Sequence, residues 1–325
     1  MKADGAAPLA VDVSVVVVNY NTAHLLPEMW AALERARGGL NLQTIIIDNA
    51  SRDDSVALLR RDFPDVQLIV NTTNVGFGRA NNQALPFIAG RYVLLLNTDA
   101  FVAPDTLGKT VAYMDAHADC GILGVRLVGR DGTLQPSCRF FPTPWNVFLQ
   151  RTGLKRFFPA ERMVDDMAWD HASTRECDWV PGCYYLVRRE LIEQLGLFDP
   201  RFFLYSEEVD HCRVAKNAGW KVVFFADTSV IHLGGESAKS DSDLTASGKQ
   251  IAALQVESEL LYFRKHFGLA GVTASALLSS LADGTRVLKR LLRRREPHGD
   301  WAPWSHFVMV WRLAVRTRLG ARPTR

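Results

Sequence analysis

The residues of this chain best equipped for chemistry are carboxylates and one imidazole set at the ends of apolar runs. Tyr92-Val93-Leu94-Leu95-Leu96 leads directly into Asn97-Thr98-Asp99. A short apolar run of this kind reads as a strand buried on both faces. A carboxylate at its carboxyl end sits where open α/β sheets bind their ligands. Asp99 can there hold a divalent cation against the phosphates of a nucleotide; its plainer role is to cap the turn before Pro104-Asp105. Asp48 follows Ile45-Ile46-Ile47 in the same way. Its carboxylate emerges at the same sheet edge and can accept hydrogen bonds from a base N–H or ribose hydroxyls, or else cap the next turn through Asn49 and Ser51.

Three further clusters carry polar groups. Asn74-Val75-Gly76-Phe77-Gly78-Arg79-Ala80-Asn81-Asn82 combines glycines, a cation and amides before a helix. Backbone N–H groups at such a start, together with Arg79, can cradle phosphate. A dinucleotide fingerprint is excluded, because GxGxxG belongs after the first strand. Glu207-Glu208-Val209-Asp210 opens another helix. Acids suit a helix N-terminus, but three packed this closely also repel, which lifts a pKa toward the range of a general base. His232, in Ile231-His232-Leu233-Gly234-Gly235-Glu236-Ser237, follows a strand and can share one metal with Asp99.

The elements that must position these groups alternate along the chain. Strands are expected at Val13–Val18, Leu42–Ile47, Val66–Val70 and Arg91–Leu96, with helices at Leu25–Ala36, from Asp53 with Val56, Leu59 and Phe63 inward, and at Phe77–Ala89. This rhythm predicts an α/β fold with a mostly parallel, doubly wound sheet. Beyond it the pattern predicts a helix at Thr106–His117 and a strand at Gly121–Val125. Residues 129–175 read as a loop-heavy insert flanking a cleft. A strand at Val180–Val187, helices at Arg189–Leu195 and Glu207–Ala218, a strand from Lys221 to near His232 and a helix over 250–267 follow.

Composition is that of an ordinary globular protein: 325 residues, 48% hydrophobic, 22% charged and a net charge of +3. The charge is uneven. From Arg286 onward eleven Arg and Lys face two Asp and Glu, which points to a polyanionic surface, membrane headgroups or nucleic acid. Leu277, Leu281, Leu288, Leu291 and Leu292 recur at helical spacing. After a break at Pro297-His298-Gly299, so do Trp304, Phe307, Val308, Trp311 and Val315, with Arg312, Arg316 and Arg318 beside them. Basic amphipathic helices with Trp and Phe on the apolar side suit a headgroup interface; the alternative is that they pack on the main domain. Five cysteines without a CxxC pair fit a reducing compartment better than disulfides or zinc. Met1–Ala10 lacks an apolar signal region, and no stretch reaches eighteen uninterrupted apolar residues. The expectation is a cytoplasmic protein, peripheral on the inner face of the plasma membrane.

Taken together, VSVVVVNYN (Val13–Asn21), IDNASRDDS (Ile47–Ser55), NVGFGRANN (Asn74–Asn82), LLLNTDA (Leu94–Ala100), FFLYSEEVDHC (Phe202–Cys212) and HLGGES (His232–Ser237) resemble the family 2 inverting glycosyltransferases, within them the rhamnosyltransferase-like branch of surface-polysaccharide synthesis. The resemblance covers roughly residues 11–267 and implies a GT-A fold, a nucleotide-binding half and an acceptor-binding half merged on one sheet. It implies a flexible 1–10, a catalytic domain 11–267 divided at 103/104, and a basic amphipathic helical tail, 268–325. Carried over motif by motif, Asn19, Asn21, Asp48, Ser51, Asn74, Gly76, Arg79, Asn97 and Asp99 would bind the nucleotide-sugar. Asp99 and His232 would hold Mg²⁺ or Mn²⁺. Glu208 would be the catalytic base, with Glu207 and Asp210 beside it, and Trp179, Pro181 and Gly182 would meet the acceptor. The donor implied is dTDP-L-rhamnose, with a UDP-hexose the alternative, and the acceptor is a polyprenyl-diphosphate-linked or polysaccharide precursor. Three features depart from the family pattern: Asn97 replaces the first acid of the DxD element, the base is Glu rather than Asp, and the Arg after the acidic helix start comes one position early, at Arg213.

Two other readings explain less. A sugar-phosphate nucleotidyltransferase needs a Gly-rich basic loop after the first strand, where this chain has Asn19-Tyr20-Asn21-Thr22. A basic nucleic-acid-binding protein leaves the acids and His232 without a task, so no nucleic-acid partner is expected.

Overall fold

The computed structural model describes residues 11–234, 249–293 and 303–325. The leader 1–10, Gly235-Glu236-Ser237 and the break at Pro297-His298-Gly299 lie outside them, as do the side chains of Leu291 and Leu292. The chain begins with β1 (Val13–Asn19), α1 (Leu26–Ala36), β2 (Leu42–Asp48), α2 (Ser55–Asp62), β3 (Gln67–Val70), α3 (Phe77–Asn82) and β4 (Tyr92–Leu96). β1 and β4 are buried throughout, as β-branched and leucine runs demand of central parallel strands. The helix expected over Phe77–Ala89 ends at Asn82. Pro86 lacks an N–H and restricts the residue before it, so Leu85–Phe87 forms only a 3₁₀ turn.

β5 (Ala100–Val102), α4 (Thr106–Ala116), β6 (Cys120–Val128), β7 (Leu134–Gln135), α5 (Pro144–Thr152), β8 (Arg175–Glu176), β9 (Tyr184–Arg188), α6 (Arg189–Leu195), α7 (Glu207–Asn217) and β10 (Lys221–His232) complete the sheet region. The sheet order is β3-β2-β1-β4-β9-β6-β10-β5. Pairing is parallel from β3 to β4 and reverses at β9, which runs antiparallel to both β4 and β6. The doubly wound expectation therefore describes the first half, while the second half is mixed and continuous with it. The strand expected from Val180 starts only at Tyr184, leaving Val180–Cys183 as an irregular approach.

Side chains alternate across the sheet. Val13, Val15 and Val17 pack with Leu26, Leu33, Leu107 and Val111 on one face. Val16, Val93, Leu95, Tyr185 and Phe224 lie on the other, with Leu260, Leu261 and Phe263 of α8 (Lys249–Arg293) and Val310, Leu313 and Ala314 of α9 (Pro303–Arg316). α8 breaks at Gly268, whose φ of 67° and ψ of −160° no helix contains. Val272 and Ala276 beyond that break still belong to the main core. The limit expected at residue 268 is thus a kink within one packed body.

Candidate active site

The Asn97-Thr98-Asp99 turn joins β4 to β5, a short strand that sequence reading missed. β5 runs antiparallel to the end of β10, setting Ala100 opposite His232. That register brings Asp99 Oδ1 within 3.6 Å of His232 Nε2. Gln135 fixes the imidazole: its Nε2 donates to the His232 carbonyl at 2.7 Å, and its Oε1 lies 2.9 Å from His232 Nδ1. A carbonyl only accepts, so the amide orientation follows, and an amide oxygen facing Nδ1 requires the proton there. Nε2 then offers its lone pair toward Asp99. Burial pulls the His232 pKa below its ordinary value, with Asp99 opposing. A neutral imidazole converging with a carboxylate suits a divalent cation. Among the described residues no cluster of three or more His, Cys, Asp or Glu offers a metal site.

The loops after β1 and β2 interlock. Asn19 Nδ2 donates to Asp48 Oδ2 at 2.8 Å and to Ser51 Oγ at 3.1 Å, while the Ser51 N–H donates to Asp48 Oδ1 at 3.0 Å. Both Asp48 oxygens are engaged and the residue is fully buried, so it braces the two loops rather than offering an open carboxylate. Asn21 and Ala50 hold φ of 54° and 70°, positions costly for residues with a side chain and frequent at ligand sites. Asn21 Oδ1 accepts from the Arg52 N–H at 2.7 Å. Asn49 links this floor to the next loop, donating to Asn74 Oδ1 at 2.9 Å and accepting from the Val75 N–H at 3.0 Å. At Gly76 φ is 91°, and a Cβ there would stand 2.5 Å from the Phe203 carbonyl oxygen. The Phe77 N–H donates to that same oxygen at 2.8 Å. Gly76 thus seats α3 directly against the segment preceding the acids of α7.

Tyr205 and Ser206, at φ of 72° and 69°, turn the chain into α7 and aim its first two residues inward. Glu207 Oε2 and Glu208 Oε2 are buried with no hydrogen-bond partner. Burial raises both pKa values above the usual glutamate range; Glu208 raises Glu207 further, whereas Arg139 draws Glu208 back down. Burial and the charge of each on the other thus disfavour ionisation of both acids together. A Cβ on Gly182 would lie 3.9 Å from Glu208 Cβ and 3.8 Å from the Phe77 ring. One residue on, the Cys183 carbonyl accepts from the Asn97 N–H at 3.0 Å. Residues 181–183 therefore run from the Glu208 side of the site to the Asp99 turn. The Cys183 thiol registers both: burial raises its pKa, and Asp99 and, less strongly, Glu208 add to the rise.

Several expected site residues are placed elsewhere. Asp210 is bound by Lys265 Nζ and His266 Nε2, both at 2.7 Å; helical periodicity turns it a half-turn from Glu208, into an ion-pair cluster that includes Asp199. Arg79 donates to the Pro200 and Arg325 carbonyls, at 2.7 and 2.9 Å, and so ties α3 to the end of the chain rather than cradling phosphate. Trp179 is buried, its indole N–H donating to the Phe140 carbonyl at 2.8 Å, so its ring is part of the packed interior. Arg213 donates to the Tyr262 hydroxyl at 2.9 Å, and its guanidinium lies 4.5 Å from the Phe267 ring centre. Pro181 and Gly182 remain partly exposed. Arg139, unnoticed in the sequence, stacks on Trp179 at 4.1 Å and pairs with Asp165. Gln135 was equally unforeseen. Both come from the insert, where only three-dimensional proximity reveals a role.

The family description "Glycosyl transferase family 2" matches residues 14–196. N-acetylglucosaminyl-diphospho-decaprenol L-rhamnosyltransferase of Mycobacterium tuberculosis is 27% identical over 244 residues, covering 70% of this chain and 78% of that protein. The Haloferax volcanii low-salt glycan biosynthesis hexosyltransferase Agl10 is 21% identical over 209 residues, covering 63% of this chain and 62% of that one. Among solved structures, the mannosyltransferase PcManGT from Pyrobaculum calidifontis, in complex with GDP-Man and Mn²⁺, superposes with a TM-score of 0.55 at 18% identity, over 97% of this chain and 91% of that one. Staphylococcus aureus TarS 1-349 gives 0.51 at 15% identity, over 95% and 92%. These likenesses agree on the GT-A fold that the mixed, continuous sheet displays. The chain belongs to glycosyl transferase family 2 and is a glycosyltransferase.

Proposed function

We propose that this enzyme transfers a sugar, L-rhamnose from dTDP-L-rhamnose as the first choice, with inversion, to a hydroxyl of a polyprenyl-diphosphate-linked or polysaccharide precursor at the inner face of the plasma membrane. The observation that carries the reading is the link through residues 181–183 between the Asp99–His232 pair and the enclosed Glu208. Asp99 and His232 would hold Mg²⁺ or Mn²⁺, which when bound supplies positive charge to the departing diphosphate. Asn21, Ser51, Asn74, Gly76 and Asn97 line the donor side, with Asn19 and Asp48 bracing the loops beneath. Glu208 accepts the proton of the acceptor hydroxyl as that oxygen attacks the anomeric carbon from the face opposite the leaving group. Glu207 lies beside Glu208, and burial disfavours a second negative charge there. Gly182 leaves room for the acceptor beside Glu208, and the loops hold the reactants in line.

The sugar and acceptor rest on the mycobacterial relative, whose name states rhamnosyl transfer to a decaprenol-linked acceptor. A UDP-hexose donor is the second reading, favoured by the haloarchaeal relative, named a hexosyltransferase. Nucleoside-diphosphate release from dTDP-rhamnose, UDP-galactose and UDP-GlcNAc, with Mn²⁺ and a short polyprenyl-diphosphate glycan, separates the two. Turnover of dTDP-rhamnose well above the others is expected; turnover confined to a UDP-sugar overturns the rhamnose assignment.

A further inference from the structure

We infer that α8, α9 and the turn after α5 form a single face that lies on an anionic lipid bilayer. Leu277, Leu281 and Leu288 follow one another at helical spacing along α8 and are each more than half exposed. Val272, Ser275, Ala276, Ser279 and Asp283, on the opposite side of the same helix, are buried. On α9, Trp304, Val308 and Val315 are exposed at the same spacing, while Val310, Leu313 and Ala314 face the core. The two stripes are adjacent: Trp311, within the α9 stripe, donates its indole N–H to Ser280 Oγ at 2.9 Å, and His306 Nδ1 lies 2.7 Å from Asp283 Oδ2. On its other flank α8 meets α5 and the turn that follows it. Lys289 Nζ donates to the Thr152 carbonyl at 2.7 Å, and Leu278 packs against Phe148 and Leu149. Phe157, in the 3₁₀ turn Leu154–Phe157 that follows α5, is 62% exposed. An apolar face of this extent marks an interaction site rather than ordinary surface.

Charge selects the occupant. Lys155, Arg156, Arg286, Arg312 and Arg316 are exposed along these elements. Residues 303–325 contain no Asp or Glu, and Asp283, the one acid in 269–293, is buried and paired with Arg151 and His306. Apolar stripes within a cationic field fit an anionic headgroup layer; a second copy of the chain would set like charges against each other. Gln250–Lys289 is long and apolar enough to cross a membrane by length and composition. However, the helix breaks at Gly268, and the buried Glu257 accepts both hydrogen bonds of Thr324 inside the protein. The helix therefore lies along the surface rather than across it. The inference takes its purpose from the proposed lipid-linked acceptor, but its support from this face alone.

The test is sedimentation of the full chain with vesicles of phosphatidylcholine, alone or mixed with phosphatidylglycerol. Binding to the mixed vesicles, weakened by salt, is expected. The combined variant Leu277→Ser, Leu281→Ser, Trp304→Ser should lose it while keeping the wild-type melting temperature, because all three side chains are exposed. Arg312→Ser and Arg316→Ser should each weaken binding roughly fivefold on the mixed vesicles only. Wild-type protein remaining in the supernatant, or variants that bind as wild type, overturn the inference; so does a shift from dimer to monomer in the triple variant with vesicle binding unchanged. Donor hydrolysis measured in the same samples keeps the two readings apart, since lost turnover with retained binding defeats the catalytic assignment and leaves this face standing.

Discussion

Glu207 and Glu208 are neighbours in sequence, yet their surroundings differ: Glu208 raises the Glu207 pKa, whereas Arg139 lowers that of Glu208. Because burial raises the Glu208 pKa and a base must be ionised, transfer should fall as pH drops through a value above the ordinary glutamate figure of about 4.3. The sign for stability is opposite. Acids whose folded-state pKa is raised favour the fold below their unfolded value, and that contribution is lost as pH rises through the raised one. Activity and stability should therefore diverge in mildly acidic buffer, which pH–rate and pH–melting profiles would check. On the metal side, Gln135→Leu should lower Mn²⁺ affinity by roughly 10–100-fold, as loss of a partner orienting a ligand does. Mn²⁺ titration by magnetic resonance measures this directly, and unchanged affinity would remove Gln135 from that role. The Asp99 and His232 pairing was legible because each residue ends an apolar run. Gln135 was not, because its only signal is a contact spanning 97 residues of sequence.

At the scale of elements, hydrophobic periodicity located β1, β2 and β4 nearly to the residue, since burial leaves long apolar runs. It failed where pairing rather than composition decides. β5 is three residues long and exists because β10 is there to pair with it. α5 was read as loop because of its prolines and aromatics, although Thr143, Pro144, Asn146 and Gly153 form a full set of start and stop signals: Thr143 and Asn146 cap each other reciprocally, and Gly153 takes φ of 72°. Two substitutions test the element-level account. Gly76→Ala meets both a positive φ and the Phe203 carbonyl, so a loss of about 2 kcal/mol or more is expected in chemical denaturation. Asp210→Asn leaves Lys265 with Asp199 as its remaining carboxylate partner, so a destabilisation of about 1–3 kcal/mol is expected. The surviving folded fraction should retain transfer, whereas a catalytic acid would lose it.

For the whole molecule, the packed tail matters most. The limit expected at residue 268 followed the end of the family resemblance, and the basic excess begins only at Arg286. The structure places Val272, Ala276, Val310, Leu313 and Ala314 in the same core as the sheet. Removing α9 would delete Val310 and Leu313 from that core, and burial of a side chain of this size is worth about 1.5–3 kcal/mol. Truncation at residue 302 should therefore yield an unstable, aggregating protein rather than a free catalytic domain, as size-exclusion chromatography and a thermal melt would show.

The central claim, that Glu208 drives an inverting transfer, is tested most directly by the anomeric configuration of the product, followed by nuclear magnetic resonance for the wild type and for Glu208→Gln. Inversion is expected in the wild type. In the variant, a rate lower by about 10²–10⁴-fold is expected, with donor binding by calorimetry nearly unchanged. A product of retained configuration, or a Glu208→Gln variant working at the wild-type rate, would contradict the account.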